Sequence, residues 1–191
     1  MSLAQKTPQK TREIKEINYG ALAGRSSETR EFLKSIFREG FEKASREEKY
    51  GEYWRDFHTV YTLLEDVVIK DREDFIKILG VVANYIKSII KENERWYTPE
   101  FYVVEIEKEG NMFWADVVVL FYDKLLGEYV DKYAVISIVA HKPFFDKERQ
   151  RENHYDVGIS HIIFNSNYRS ATSKIKDIIE GVEEGTYIKI A

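Results

Sequence analysis

The chain predicts an α/β (α+β) fold in which N-terminal helices precede a central mixed β-sheet flanked by helices. Two changes of pattern predict it. Apolar residues recur at helical spacing between residues 28 and 93, and from residue 101 to 142 they give way to alternation with many β-branched and aromatic residues. The 191 residues, 43% hydrophobic and 14% aromatic, can fill one real core, which excludes a disordered chain.

Residues 1–25 carry Lys6, Lys10, Arg12 and Lys15 in a polar setting and predict a flexible basic arm; residues 26–191 predict a single domain. Three helices open that domain. Glu28 to Ala44 repeats Phe32, Leu33, Ile36, Phe37 and Phe41 on one face, and Tyr53 to Lys70 carries Phe57, Val60, Tyr61, Leu64, Val67 and Val68. Asp71 to Asn93 carries Phe75, Ile78, Leu79, Val82, Ile86, Ile89 and Ile90, with Asp71 as N-cap and Pro99 bounding its far side.

Two strands follow, Phe101 to Glu107 and Met112 to Tyr122, joined by a hairpin. With Gly110 and Asn111 as central turn residues, Glu109 faces Met112 and Glu105 faces Asp116. This register places Tyr102, Val104 and Ile106 on one face with Phe113, Ala115, Val117, Val119 and Phe121. Glu105, Glu107, Trp114 and Asp116 share the other. Two carboxylates so placed repel each other unless a cation lies between them. A third strand, Tyr133 to Lys142, is apolar on both faces and belongs in the middle of a covered sheet. A short charged helix, a strand over Gly158 to Asn165, a helix over Ser170 to Gly181 and a strand over Thr186 to Ile190 complete the expectation.

An aspartate opening an apolar strand (Asp116-Val-Val-Val-Leu-Phe) and a second apolar strand ending in Ala140-His141-Lys142 resemble the motif of the PD-(D/E)XK nuclease superfamily, in the spacing of its archaeal Holliday-junction resolvases. The resemblance implies a restriction-endonuclease-like fold, with a helix crossing between the third and fourth strands. It also implies hydrolysis of DNA phosphodiesters, possible branched DNA included, with Mg²⁺ or Mn²⁺. Asp116 would then be metal ligand and catalytic residue, Lys142 the catalytic lysine, and Glu105 a further ligand; Asp146 and Glu148 are other acids nearby. The chain departs from the motif at Ala140, where the family has an acid.

A net charge of −4 argues against wholesale affinity for nucleic acid but permits a local basic surface, to which Lys147, Arg149 and Arg151 would contribute. The absence of cysteine excludes disulfides and thiolate metal sites. Without an apolar run of membrane-spanning length or a signal-like segment, an intracellular protein that does not enter membranes is expected. Usage rich in Lys, Glu, Ile and Tyr resembles that of hyperthermophile proteins, as of an archaeal virus or plasmid. His141, His154 and His161 match no zinc spacing, and no glycine-rich phosphate loop or serine-hydrolase elbow is present.

Two functional classes remain. One is a metal-dependent DNA endonuclease, homodimeric because paired cuts need paired sites. The other is a catalytically inactive nuclease-fold protein that binds DNA or protein. A strand-end ion pair between Asp116 and Lys142 is the structural alternative to a site.

Overall fold

The computed structural model describes residues 26–46, 52–93, 97–142, 153–165 and 168–191. The expected basic arm, the charged helix after the third strand, and Asp146, Lys147, Glu148, Arg149 and Arg151 lie outside the described residues. The described elements run α1 (Ser26–Arg46), β1 (Glu52–Val68), α2 (Arg72–Asn93), β2 (Tyr97–Glu109), β3 (Met112–Asp123), β4 (Glu128–His141), β5 (His154–Asn165), α3 (Tyr168–Glu184) and β6 (Ile188–Lys189).

The strands form one sheet in the order β1-β5-β4-β3-β2-β6. The mixed sheet expected from sequence is not what forms: each pairing among the described strands is antiparallel. The cause is the length of the connections, since β2, β3 and β4 follow one another through tight turns, which can join only antiparallel neighbours. The α+β class holds. Among the described residues no helix is long and apolar enough to cross a membrane.

Helices α1 and α2 cover one face of the sheet. Their apolar stripes, Leu33, Ile36 and Phe37 on α1 and Phe75, Leu79, Ile86 and Ile90 on α2, are buried with Val117, Ile136, Val157 and Ile162 of the sheet. Asp71 caps α2 as its sequence position predicts, accepting the Asp74 amide at 2.9 Å, while Asp74 accepts the Lys70 amide at 2.9 Å. Glu92 at the far end of α2 pairs with Arg30 and, at 3.0 Å, with Lys34, which ties the two helices side by side.

The segment expected as a second helix is the strand β1. Its β-branched and aromatic content favours a pleated surface. Irregularities between Asp56 and Tyr61, Thr62 and Leu64, and Leu64 and Val67 insert extra residues against β5. Each insertion shifts the inward-facing set, so buried Leu63, Leu64 and Val67 fall at spacings that imitate a helical stripe.

The β2–β3 hairpin has the predicted register, with Glu109 opposite Met112 and Glu105 opposite Asp116. Gly110 alone takes a positive φ, +58°, the pattern of a turn that needs glycine at its first central position. A bulge at Val104 then corrects the expected faces. Beyond it Phe101 and Val103 join the main core, while Tyr102 and Val104 turn to the other side and pack with Val118, Leu120 and Ile178 beneath α3. Pro99 lies past the end of α2, as expected, and inside β2, beyond the span paired with β6, where a missing N–H is tolerated.

β4 is central, as its two apolar faces require, and it is longer than expected because pairing with β3 continues back to Glu128. Only Lys124 to Gly127 lies between β3 and β4. Gly158 of β5 permits the approach of β1 at one of its bulges, for a Cβ there would overlap the Tyr61 carbonyl oxygen.

Candidate functional site

Strand pairing places one residue from each of five strands in a line across the sheet: Glu105, Asp116, Ser137, His161 and Asp56. The line lies on the side opposite Ala115 and Val117, hence on the α3 side. Ser137, only 4% exposed, links its centre. Its Oγ lies 2.6 Å from Asp116 Oδ1 and 2.9 Å from His161 Nε2, and His161 Nδ1 lies 3.2 Å from Ser160 Oγ. An ionised carboxylate can only accept, so Ser137 donates to Asp116 and His161 Nε2 donates to Ser137. A serine acting as nucleophile must instead hand its proton to the imidazole. The line is therefore a polar ladder that satisfies itself.

Glu105 and Asp116 are brought together, as the hairpin register predicts. Lys142 is not brought to them. Its ammonium sits 4.5 Å from the centre of the Tyr155 ring, and Tyr155 packs edge-on against Phe113 at 5.5 Å on the α1–α2 side. Lys142 is also five residues along the chain from Ser137, about 16 Å at the rise of a strand. Ala140, opposite Phe113, is wholly buried in that same core. The metal expectation meets a similar limit: Glu105 and Asp116 supply two carboxylates, and among the described residues no group of three His, Asp or Glu could hold a metal ion. The histidines keep separate partners. His154 Nδ1 is 2.8 Å from Asp66, His141 Nδ1 is 3.1 Å from the Lys142 carbonyl, and His161 belongs to the ladder.

A second cluster, not foreseen from sequence, forms where α2, β2, β6 and the β3–β4 turn meet. Lys189 sits opposite Tyr102 in the β2–β6 pair, and its Nζ is 3.5 Å from Glu100. Glu100 also accepts the hydroxyls of Tyr102 at 2.8 Å and Tyr129 at 2.6 Å. Asp123, three positions further along β3 from the residue that faces Glu100, brings Lys124 to the same end. Lys87 and Lys91 arrive one helical turn apart on α2. Burial lowers the Lys87 ammonium below the ordinary lysine range, and the like charges of Lys189, Lys91 and Lys124 push it the same way against the pull of Glu100. The charges of three other lysines, from α2, the β3–β4 turn and β6, thus reach Lys87.

The β3–β4 turn projects from this end. Asp123 Oδ1, on a largely buried side chain, accepts the amides of Leu125 at 2.9 Å and Leu126 at 3.1 Å. The Gly127 amide donates to the Asp123 carbonyl at 2.9 Å, and Gly127 takes φ +69°. The turn holds Leu125 and Leu126 in solvent, 73% and 69% exposed. Behind it Tyr122 and Tyr129 pack edge-on, 5.2 Å between ring centres. The scattered lysines carry no motif, but a Leu-Leu pair in a short polar turn was a legible signal. Compared with protein-family models, curated proteins and solved structures, the chain finds no match.

Proposed function

We propose that this chain is a DNA-binding module that holds the phosphate backbone through the lysine-bearing end of its sheet and does not cut it at Asp116. The observation that carries the reading is the pairing of β6 with β2, which brings Lys189 to the end of the sheet where the like charges of Lys189, Lys91 and Lys124 all act on Lys87. Holding like charges together costs stability, and an anionic ligand is what such an arrangement favours. A net charge of −4 disfavours wholesale affinity but permits a local basic end to hold phosphate. Phosphates neutralised by lysines release counterions, so the contact is independent of base sequence.

The test is anisotropy of a labelled duplex across a salt series. With four phosphates neutralised, log K against log salt should slope at about −3.6, and each Lys→Gln substitution in the cluster should flatten it by about 1. Arg72→Gln, at the opposite end of α2, should leave it unchanged. Binding indifferent to salt or to all four lysines would end the proposal.

The competing reading is cleavage by a restriction-endonuclease-like fold using Asp116, Glu105 and Lys142 with Mg²⁺ or Mn²⁺, in a homodimer. The facing pair Glu105 and Asp116 favours it. The placement of Lys142 against Tyr155 weighs on the other side. Branched and linear DNA incubated with either ion should stay intact; cleavage abolished by both Asp116→Ala and Lys142→Ala would favour the nuclease.

A further inference from the structure

We infer that the exposed flank of α3 is the contact by which two copies of this chain pair, their α3 helices running antiparallel about a two-fold axis beside Ile179. The inference rests on α3 alone and not on the DNA-binding reading. α3 lies on the sheet through Ile178, which is buried with Tyr102, Val118 and Leu120, while Ile175 and Val182 pack against the same cluster. Ile179 stands one residue on, about 100° further round the helix, and is left 39% exposed outside both core clusters. Thr172, Lys176 and Glu183 are exposed on the same side, so the four residues follow one another at steps of four, three and four, the spacing of a helix-pairing seam.

Charge selects the occupant. Lys174 and Lys176 precede Asp177, Glu180, Glu183 and Glu184, with no acid in the first turn of α3 and no base in its last. That order opposes the helix dipole, whose C-terminal end is negative. Among the described residues none of the six side chains takes part in a salt bridge; even Lys176 and Glu180, four apart in the weaker lysine-first order, do not. An antiparallel copy supplies the missing partners. With the axis beside Ile179, Lys176 lies three residues to one side and Glu183 four to the other, about 4.5 and 6 Å at the rise of a helix. Each Lys176 then meets the partner's Glu183, and Ile179 meets the partner's Ile179. A two-fold contact sets one patch against itself, and this patch satisfies that demand because its charge changes sign about an apolar centre. Exposed ion pairs contribute little each and one helix pair is a small interface, so the dimer forms at high protein concentration.

Sedimentation equilibrium of the full chain across a concentration series tests the pairing, with circular dichroism to show that each variant keeps its helices. The average mass of the wild type should climb from monomer towards dimer as concentration rises. Ile179→Lys, at an exposed position, should abolish the climb. Lys176→Glu and Glu183→Lys should each abolish it too, since either change sets like charges against each other at both ends of the seam. An equimolar mixture of those two single variants should restore it, because every facing pair is then again of opposite sign. Monomers at every concentration leave the seam to water or to another partner and overturn the proposal. A dimer that survives Ile179→Lys uses a different surface and overturns it as well. Single variants that still pair, or a mixture that does not recover, count against it in the same way.

Discussion

Ser137 stands between a carboxylate and an imidazole, and its single hydroxyl serves both. Ser137→Ala removes it and strands two partly buried polar groups, so it should cost about 1–3 kcal/mol in a urea melt. On the proposed reading DNA affinity should not change, because Ser137 bonds to Asp116 and His161 and not to the lysines. A second residue-scale expectation concerns Tyr102 and Tyr129. Burial, then hydrogen bonding to Glu100, raises both hydroxyls, Tyr129 to about 12. Tyrosine in the unfolded chain ionises at its ordinary value of 10.0. Between that value and about 12 the folded chain binds more protons, so stability is fully present below pH 10 and falls as pH rises through this window. Tyr129→Phe should flatten the fall in a pH series of thermal melts.

At the scale of elements, Gly158 is where β5 leaves no room for a Cβ beside β1. Gly158→Ala would drive a methyl group into the Tyr61 carbonyl and force β1 away from β5, at about 3 kcal/mol, with faster amide exchange across that pair as the readout. How legible each element was follows from how regular it is. α1 and α2 keep one stripe from end to end, and the β2–β3 hairpin declares its register through the turn and the alternation of Phe113, Ala115 and Val117. β1 deceived because its bulges convert a two-residue period into something near a helical one. Tyr102 and Val104 were assigned to the wrong face for the same reason, a single extra residue that no local pattern announces. The length of β4 was missed because Glu128 to Lys132 is partly polar, yet backbone pairing with β3 continues there irrespective of side chains.

Across the whole molecule, the candidate site was legible only where it lay within one hairpin. Glu105 and Asp116 could be paired from local rules, whereas Lys142 was joined to Asp116 by motif spacing, and strand parity sends the two to opposite sides. Lys91, Lys124 and Lys189 act on Lys87 from α2, the β3–β4 turn and β6, so only the assembled fold reveals the relation. Burial of Lys87, and after it the like charges that reach it, carry a penalty. Because the folded value of Lys87 lies below its ordinary 10.5, the unfolded chain binds more protons between the two and stability rises with pH across that interval. Below that interval the penalty is fully present. Lys87→Gln should therefore raise the melting temperature while weakening DNA binding, a trade that a merely structural lysine would not show.

The short β6 has a consequence for the life of the protein in a crowded solution. Residues 188–191 occupy backbone donors and acceptors of β2 from Phe101 to Val103, at the one place where that margin carries buried apolar residues on both its faces. Further along, Glu105, Glu107 and Glu109 supply charge in place of a covering strand. Removing those four residues would leave an adhesive border, so this small strand is a guard against the stacking of one molecule's sheet onto another's.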